Sequence, residues 1–389
     1  MDERRDLMKT VSSSLENLSL KAMRQNIFLA FGSILLILVV MELIIRLFNP
    51  IQNKLQNPPG GKWAILPEQV WTEPHPTLGW YHQKQKKAIL RKDPMEVEVN
   101  TNSEGFRGIR EYQKQKPTTV RRILSLGDSF VFGWGVKDTE TFSAQLEAGN
   151  SNLEVINLGV AGYGIDQIML SFRTIGKQFN PDYVLIGAFP EDFWRATRAY
   201  TDAGYGKPFF KLQKGNHLFL NNVPVKSPET LNYVQFPEIV EYSLLERLFL
   251  NSVIYRYLKW KTLRLARDLG WIDPDLSEEW RLSQAILKEL VSEVRTMGAE
   301  PIILIIPPKI WMKDTKPTSV EKSIERFGKR ENISVINTTP YLIDAVKKSN
   351  VSNFYIQNDE HWTAKAHQLV AELLTQHLLL KTRSDSAAA

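Results

Sequence analysis

The chain has 389 residues, 43% of them hydrophobic and 24% charged, a globular composition long enough for one large domain or two ordinary ones. It contains no cysteine, which excludes a disulfide framework, a thiol nucleophile and any cysteine-based zinc or iron–sulfur centre. The net charge of +6 is modest and no arginine-rich stripe is interleaved with aromatics, so no nucleic-acid partner is expected.

Residues 1–26 form a tail carrying Arg4, Arg5, Lys9, Lys21 and Arg24. Residues 27–48 are apolar, uncharged from Ile27 to Met41, and counted across Glu42 and Arg46 they reach the roughly twenty residues that span a bilayer. Glu42 and Arg46 are four apart and are expected to pair on one helix face near the interface. A cleavable signal would have a shorter apolar core and a small-residue cleavage site. Beyond the span, only Lys54 and Lys62 follow before Trp63. The positive-inside rule then leaves the N-terminus cytoplasmic and the remainder outside, periplasmic or extracellular, with the bilayer as a partner.

Residues 49–62, rich in Pro, Gly, Asn and Gln, read as a linker, and 63–110 as an extended lead-in without helical periodicity. Within it, the basic run from Lys84 to Lys92 reads as a solvated face. Residues 111–383 then alternate. Short apolar runs at Arg122–Leu126, Leu153–Leu158, Tyr183–Gly187, Pro301–Ile306 and Ser334–Asn337 read as strands. Helices are expected at Thr141–Ala148, Asp166–Lys177, Ser277–Met297, Val320–Phe327 and Thr339–Lys348, with Thr363 opening a last one to about Leu379. An aromatic-rich insertion at about 194–270 includes an amphipathic candidate helix, Ile239–Asp268, and reads as a lid, a partner surface or a packing excursion. The alternation predicts a flavodoxin-like, doubly wound α/β fold with about five parallel strands.

Ligands of such a sheet bind beyond the carboxyl ends of its strands. The first strand ends in Leu126-Gly127-Asp128-Ser129-Phe130, which puts Ser129 where a nucleophile belongs, although Gly-Asp-Ser alone is a common turn composition. Just before the last helix stands Asn358-Asp359-Glu360-His361-Trp362; a carboxylate two residues before a histidine can orient the ring so that its other nitrogen faces a serine. A histidine beside a tryptophan is as a rule a packed or capping residue, so the pair needs the serine to give it meaning. After the second strand, Asn157 to Gly164 is rich in glycine, which permits close backbone approach and offers N–H groups to a developing oxyanion. It lacks the spacing of a dinucleotide fingerprint. His367 and His377, on the last helix, read as structural or solvent-facing, and no histidine pair suggests a metal site.

In this order the blocks resemble the SGNH (GDSL-like) hydrolase superfamily, and more narrowly its membrane-anchored bacterial members, some of which work beside exopolysaccharide or cell-wall acylation systems. The resemblance runs from about Pro76 to the C-terminus. Leu78-Gly79-Trp80 and Asn102 to Arg107 look like that subgroup's lead-in, Gly127 to Phe130 like its nucleophile block, Asn157 to Gln167 like its glycine block, and Asp359 to Thr363 like its Asp-x-His-Trp block. The resemblance implies Ser129 as nucleophile, His361 as general base, Asp359 as its orienter, and the Ser129 and Gly162 N–H groups as oxyanion donors, with no cofactor or metal. One block departs: Phe189-Pro190-Glu191-Asp192-Phe193 has Glu191 where the family carries an asparagine that donates to the oxyanion. An ionised carboxylate there would repel the oxyanion, whereas a neutral one could donate.

The implied activity is ester hydrolysis, or O-acyl transfer to a sugar hydroxyl, through an acyl-enzyme on Ser129. The implied substrates are O-acyl, expected to be acetyl, groups of carbohydrate or envelope polymers, and transfer would call for a membrane-bound acyltransferase as partner. A decayed, non-catalytic glycan- or partner-binding module and a lysophospholipase are the alternatives.

Overall fold

A computed structural model of the chain describes residues 2–47, 71–92, 95–199, 206–213, 217–225, 277–313 and 316–388, with isolated positions between 252 and 275. The expected linker and most of the candidate helix at 239–268 lie outside the described residues. The chain divides into one unit of Met1–Pro50 with Tyr242–Arg264, and another of Ile51–Glu241 with Leu265–Ala389.

In the first unit, helix α1 (Asp2–Leu47) contains the stretch Met23–Ile44, among the described residues the one helix long and apolar enough to cross a membrane. Its apolar side chains from Ile27 to Met41 are exposed, as a lipid-facing surface requires. The Glu42 carboxylate accepts from the Ser252 hydroxyl at 3.0 Å and the Ile254 N–H at 3.1 Å. The side chain of Arg46, its expected partner, lies outside the described residues.

Among its described residues the second unit opens with two antiparallel hairpins, β1 (Thr72–His75) with β2 (Gly79–His82), and β3 (Lys87–Lys92) with β4 (Met95–Asn100). The main sheet follows: β5 (Arg121–Gly127), a single helical turn α2 (Ser129–Phe132), α3 (Phe142–Ala148), β6 (Leu153–Gly159), α4 (Ile165–Thr174), β7 (Tyr183–Ala188) and α5 (Pro190–Arg195). The insertion contributes a hairpin, β8 (Phe209–Leu212) with β9 (Leu218–Asn221). Then come α6 (Glu278–Thr296), β10 (Glu300–Ile305), α7 (Ser319–Arg330), β11 (Ser334–Asn337), α8 (Thr339–Lys348) and α9 (Ala364–Ala388).

The five strands are all parallel, in the order β11-β10-β7-β5-β6. The chain moves from β5 outward to β6 and then crosses back to β7, so its direction of winding reverses between β5 and β7. That is the flavodoxin-like order expected from the sequence, and the crevice at the reversal is where such sheets bind ligands. The inner strands are buried but for the first residues of β5 and β10, as helices on both faces demand: β7 is buried at every residue, and Leu124 of β5 pairs with Ile156 on one side and Val184 on the other.

The helices start where the caps place them. Thr141 accepts from the Ala144 N–H and Ser277 from the Trp280 N–H, so each is an N-cap just outside the helix it was expected to join. The last helix runs on to Ala388, past the expected Leu379. The turns α2 and α5 were not anticipated, being too short for a 3.6-residue period to register.

Isolated hairpins are marginal in water, so the lead-in must be fastened to the domain. Asn102 caps a tight loop, accepting from the Glu104 and Phe106 N–H groups and donating to the Arg110 carbonyl. Phe106 is fully buried, edge-on to Phe179 at 5.0 Å. Arg107 reaches the Val136 carbonyl at 2.8 Å and Asp138 at 2.6 Å, with its guanidinium 4.5 Å from the Phe132 ring centroid. The Asn102–Arg107 motif is therefore the latch of the lead-in.

Candidate active site

The nucleophile turn is built by packing. The single turn α2 lies so close to the sheet that a Cβ on Gly127 would come within 2.2 Å of Val131, one on Gly187 within 2.5 Å of Val131, and one on Gly159 within 2.3 Å of the Phe132 nitrogen. Asn157 donates to the Val131 carbonyl at 2.7 Å and pins the turn. Two blocks expected to serve a ligand thus also seat α2. Asp128 caps it, accepting from the Phe130 N–H at 2.9 Å. Ser129 is its first residue, with only 7% of its surface exposed.

His361 comes from the far end of the chain. Its loop is closed by a bridge between Tyr355 and Trp362 and by the Ile356 N–H donating to the His361 carbonyl at 2.9 Å. Asp359 Oδ1 accepts from the His361 backbone N–H at 2.9 Å and, in a very short contact, from Nδ1. With its proton on Nδ1, the ring presents Nε2 as an acceptor, and Nε2 lies 2.7 Å from the Ser129 hydroxyl oxygen. Phe130 and Trp134 flank the imidazole at 4.9 and 5.6 Å. Burial alone would raise the Asp359 pKa, but hydrogen bonds from His361 and Lys92 outweigh it and hold the carboxyl far below the usual carboxylate range.

Gly162 has φ +82, a conformation that favours glycine, and the Trp80 ring stands 3.5 Å from where its Cβ would be. The lead-in clamps this turn: Trp80 donates to the Ala161 carbonyl at 3.1 Å, Tyr163 to the Trp80 carbonyl at 2.5 Å, and Gln167 to the Leu78 carbonyl at 2.8 Å. Leu78-Gly79-Trp80 is thereby tied to the glycine block it accompanies in sequence.

Glu191 sits in the first turn of α5, with Pro190 in the position where a missing N–H costs nothing. Its carboxylate lies 3.6 Å from Arg195, whose guanidinium also donates to Asp128 at 3.1 Å, Asp192 at 2.7 Å and the Tyr163 carbonyl at 3.1 Å. Arg195 joins the turns after β5, β6 and β7. Burial and the neighbouring Asp128 push the Asp192 carboxyl well up, against the pull of Arg195, and its Oδ2 is buried without a partner.

Sequence reasoning missed Arg195 and Lys92. Lys84 pairs with the half-buried Glu104 and Lys87 with the exposed Glu98, both lysines staying solvated, but Lys92 lies 2.5 Å from Asp359 Oδ2. His367 is buried and accepts from the Phe142 N–H at 3.2 Å, linking α9 to α3; it is structural and not solvent-facing. His377 meets the Ser334 hydroxyl at 3.0 Å.

No family profile and no curated protein matches the chain. Among solved structures it is similar to a member of the lipolytic protein G-D-S-L family from Veillonella parvula, with 11% identity, TM-score 0.39, and 66% of this chain and 97% of that one covered. It is also similar to a psychrotrophic esterase from Pseudoalteromonas sp., with 14% identity, TM-score 0.37, and 68% and 99% covered. An acetylxylan esterase from Geobacillus stearothermophilus gives 13% identity, TM-score 0.38, and 67% and 95% covered. The strand order of the sheet itself, and not these likenesses, identifies the fold.

Proposed function

We propose that the chain is a serine ester hydrolase of the SGNH type, in which Ser129, His361 and Asp359 act as nucleophile, base and orienter. The observation that carries this reading is the continuous hydrogen-bonded series from Ser129 through His361 to Asp359, at the reversal point of a doubly wound sheet. Ser129 Oγ attacks the acyl carbonyl carbon while His361 Nε2 takes its proton, and Asp359 holds the resulting imidazolium. The Ser129 and Gly162 N–H groups receive the oxyanion, the former being the first N–H of α2 and so without an intrahelical partner. Collapse breaks the ester bond, the alcohol leaves with the proton from His361, and an acyl-enzyme remains. Water then completes hydrolysis; a sugar hydroxyl entering at the same step completes O-acyl transfer, with a membrane-bound acyltransferase as partner.

A nucleophile only 7% exposed, beside a base flanked by Phe130 and Trp134, favours a small acyl group, acetyl above all. Helix α1 supports an anchor with the N-terminus in the cytoplasm and the catalytic unit outside, which suits carbohydrate or envelope-polymer substrates. Reporter fusions at about residue 60 test the topology: an export-dependent reporter should be active and a cytoplasmic one silent, and the reverse pattern would refute it. The chemistry is tested on the full chain in detergent with p-nitrophenyl acetate and an acetylated polysaccharide. Acetate release should vanish in Ser129→Ala and His361→Ala; unchanged release in either would refute the reading. A soluble sugar acceptor that gains acetate at the expense of hydrolysis would select transfer.

A further inference from the structure

Asp359 has two oxygens and one histidine to orient. Its Oδ1 takes both contacts from His361, the backbone N–H and Nδ1. Its Oδ2 would be left over in a side chain only 6% exposed, and a buried carboxylate oxygen without a partner is costly. Lys92 Nζ occupies that oxygen at 2.5 Å. Lys92 closes strand β3, in the hairpin that precedes the α/β domain, and the two residues are 267 apart in sequence.

We propose that Lys92 is a positioning residue of the active site: it engages Asp359 Oδ2 and so fixes the rotation of the carboxylate that keeps Oδ1 on His361 Nδ1. The inference rests on the ester-hydrolase reading of the same site. It makes the lead-in hairpin part of the catalytic apparatus, since the α/β domain supplies the nucleophile, base and orienter but not the cation that holds the orienter. The other charged groups facing Asp359 do different work. Glu360 neighbours it on the same loop. Lys309, after β10, donates to the Ile356 and Asp359 backbone carbonyls at 3.2 and 3.3 Å and so fastens the loop rather than the carboxylate. On the far side of His361 stands Ser129, which carries no charge.

The test compares wild type with Lys92→Met and Lys92→Arg as full chains in detergent. It reads kcat and KM for p-nitrophenyl acetate across pH, and the carboxyl titration of Asp359 by 13C NMR, assigned with Asp359→Asn. Lys92→Met should lower kcat roughly tenfold with KM unchanged, far short of the ~10⁴-fold that follows loss of the orienting carboxylate in a serine triad. Without the cation the carboxylate holds a proton more readily, so the Asp359 titration should move to higher pH. Lys92→Arg should restore kcat and the Asp359 titration. An unchanged kcat and an unmoved Asp359 titration in Lys92→Met would overturn the proposal. Should Lys92→Met not fold, Lys92→Gln removes the same charge. Full hydrolysis by Ser129→Ala, or an inert wild type, would instead refute the ester-hydrolase reading, and the Asp359 titration would still decide the role of Lys92.

Discussion

At the amino ends of the central strands, Arg122 is wholly buried and donates twice to Glu154, at 2.8 and 2.6 Å, and further to the Lys114 and Phe179 carbonyls. Beside it Asp182 takes the Arg122 N–H at 2.7 Å and the ammonium of Lys116. At the carboxyl ends, Asp128, Glu191 and Asp192 share the single guanidinium of Arg195, and one Asp192 oxygen has no partner. The amino end balances its buried charge, as a site selected for stability does. The carboxyl end tolerates excess negative charge and an orphaned oxygen, costs that persist where chemistry requires the groups.

Mutations can separate the two ends. The largest effect expected is on turnover, from Asp359→Asn, which should lower kcat by about 10⁴-fold by favouring the wrong tautomer of His361 while leaving the melting temperature nearly unchanged. A loss under tenfold would mean that Asp359 does not orient the base. At the opposite end, Arg122→Met leaves the buried Glu154 facing only the longer contact to the exposed Arg110 at 3.5 Å and should cost about 3–5 kcal/mol in denaturant unfolding. Turnover per folded molecule should stay at the wild-type level; a matching loss of turnover would erase the distinction between the ends.

Glu191 probes the excess charge directly. Replacing it with Asn removes a carboxyl beside Asp128 and Asp192 and supplies an amide donor, and should raise ester hydrolysis by up to about a hundredfold, the scale of one oxyanion donor. Glu191→Gln separates charge from reach. If wild type and both variants hydrolyse alike across pH, Glu191 lies outside the oxyanion site.

The sheet was legible because its strands are short apolar runs between capped helices, and the order of Ser129, Asp359 and His361 could be matched to a triad. What sequence could not yield were contacts across long separations. Lys92 looked like one lysine of a basic run, and only the folded hairpin brings it to Asp359. Arg195 ends a six-residue helix too short to give a periodic signal, yet it joins three turns. Gly159 reads as part of a ligand-facing glycine block, although its hydrogen, like that of Gly127, makes room for α2.

The smallest effect concerns two buried histidines away from the triad. Burial lowers the His82 pKa to about 4 and that of His367 to about 3, from an ordinary 6.5. Their neutral rings therefore stabilise the fold fully above about pH 6.5, and that contribution is lost as pH falls toward 4 and then 3. The melting temperature should decline through this window, and the decline should be shallower in His367→Gln by about one degree for each kcal/mol removed, the scale for a chain of this size. Identical acid profiles would remove His367 from the account.

The central claim is that Ser129 is an activated nucleophile. A fluorophosphonate probe reacts with such a serine and leaves a stable adduct that mass spectrometry can assign to a peptide. Wild type should carry the adduct on Ser129, His361→Ala should label far more slowly, and Ser129→Ala should not label. Labelling at another serine, or equal labelling of wild type and Ser129→Ala, would contradict the account.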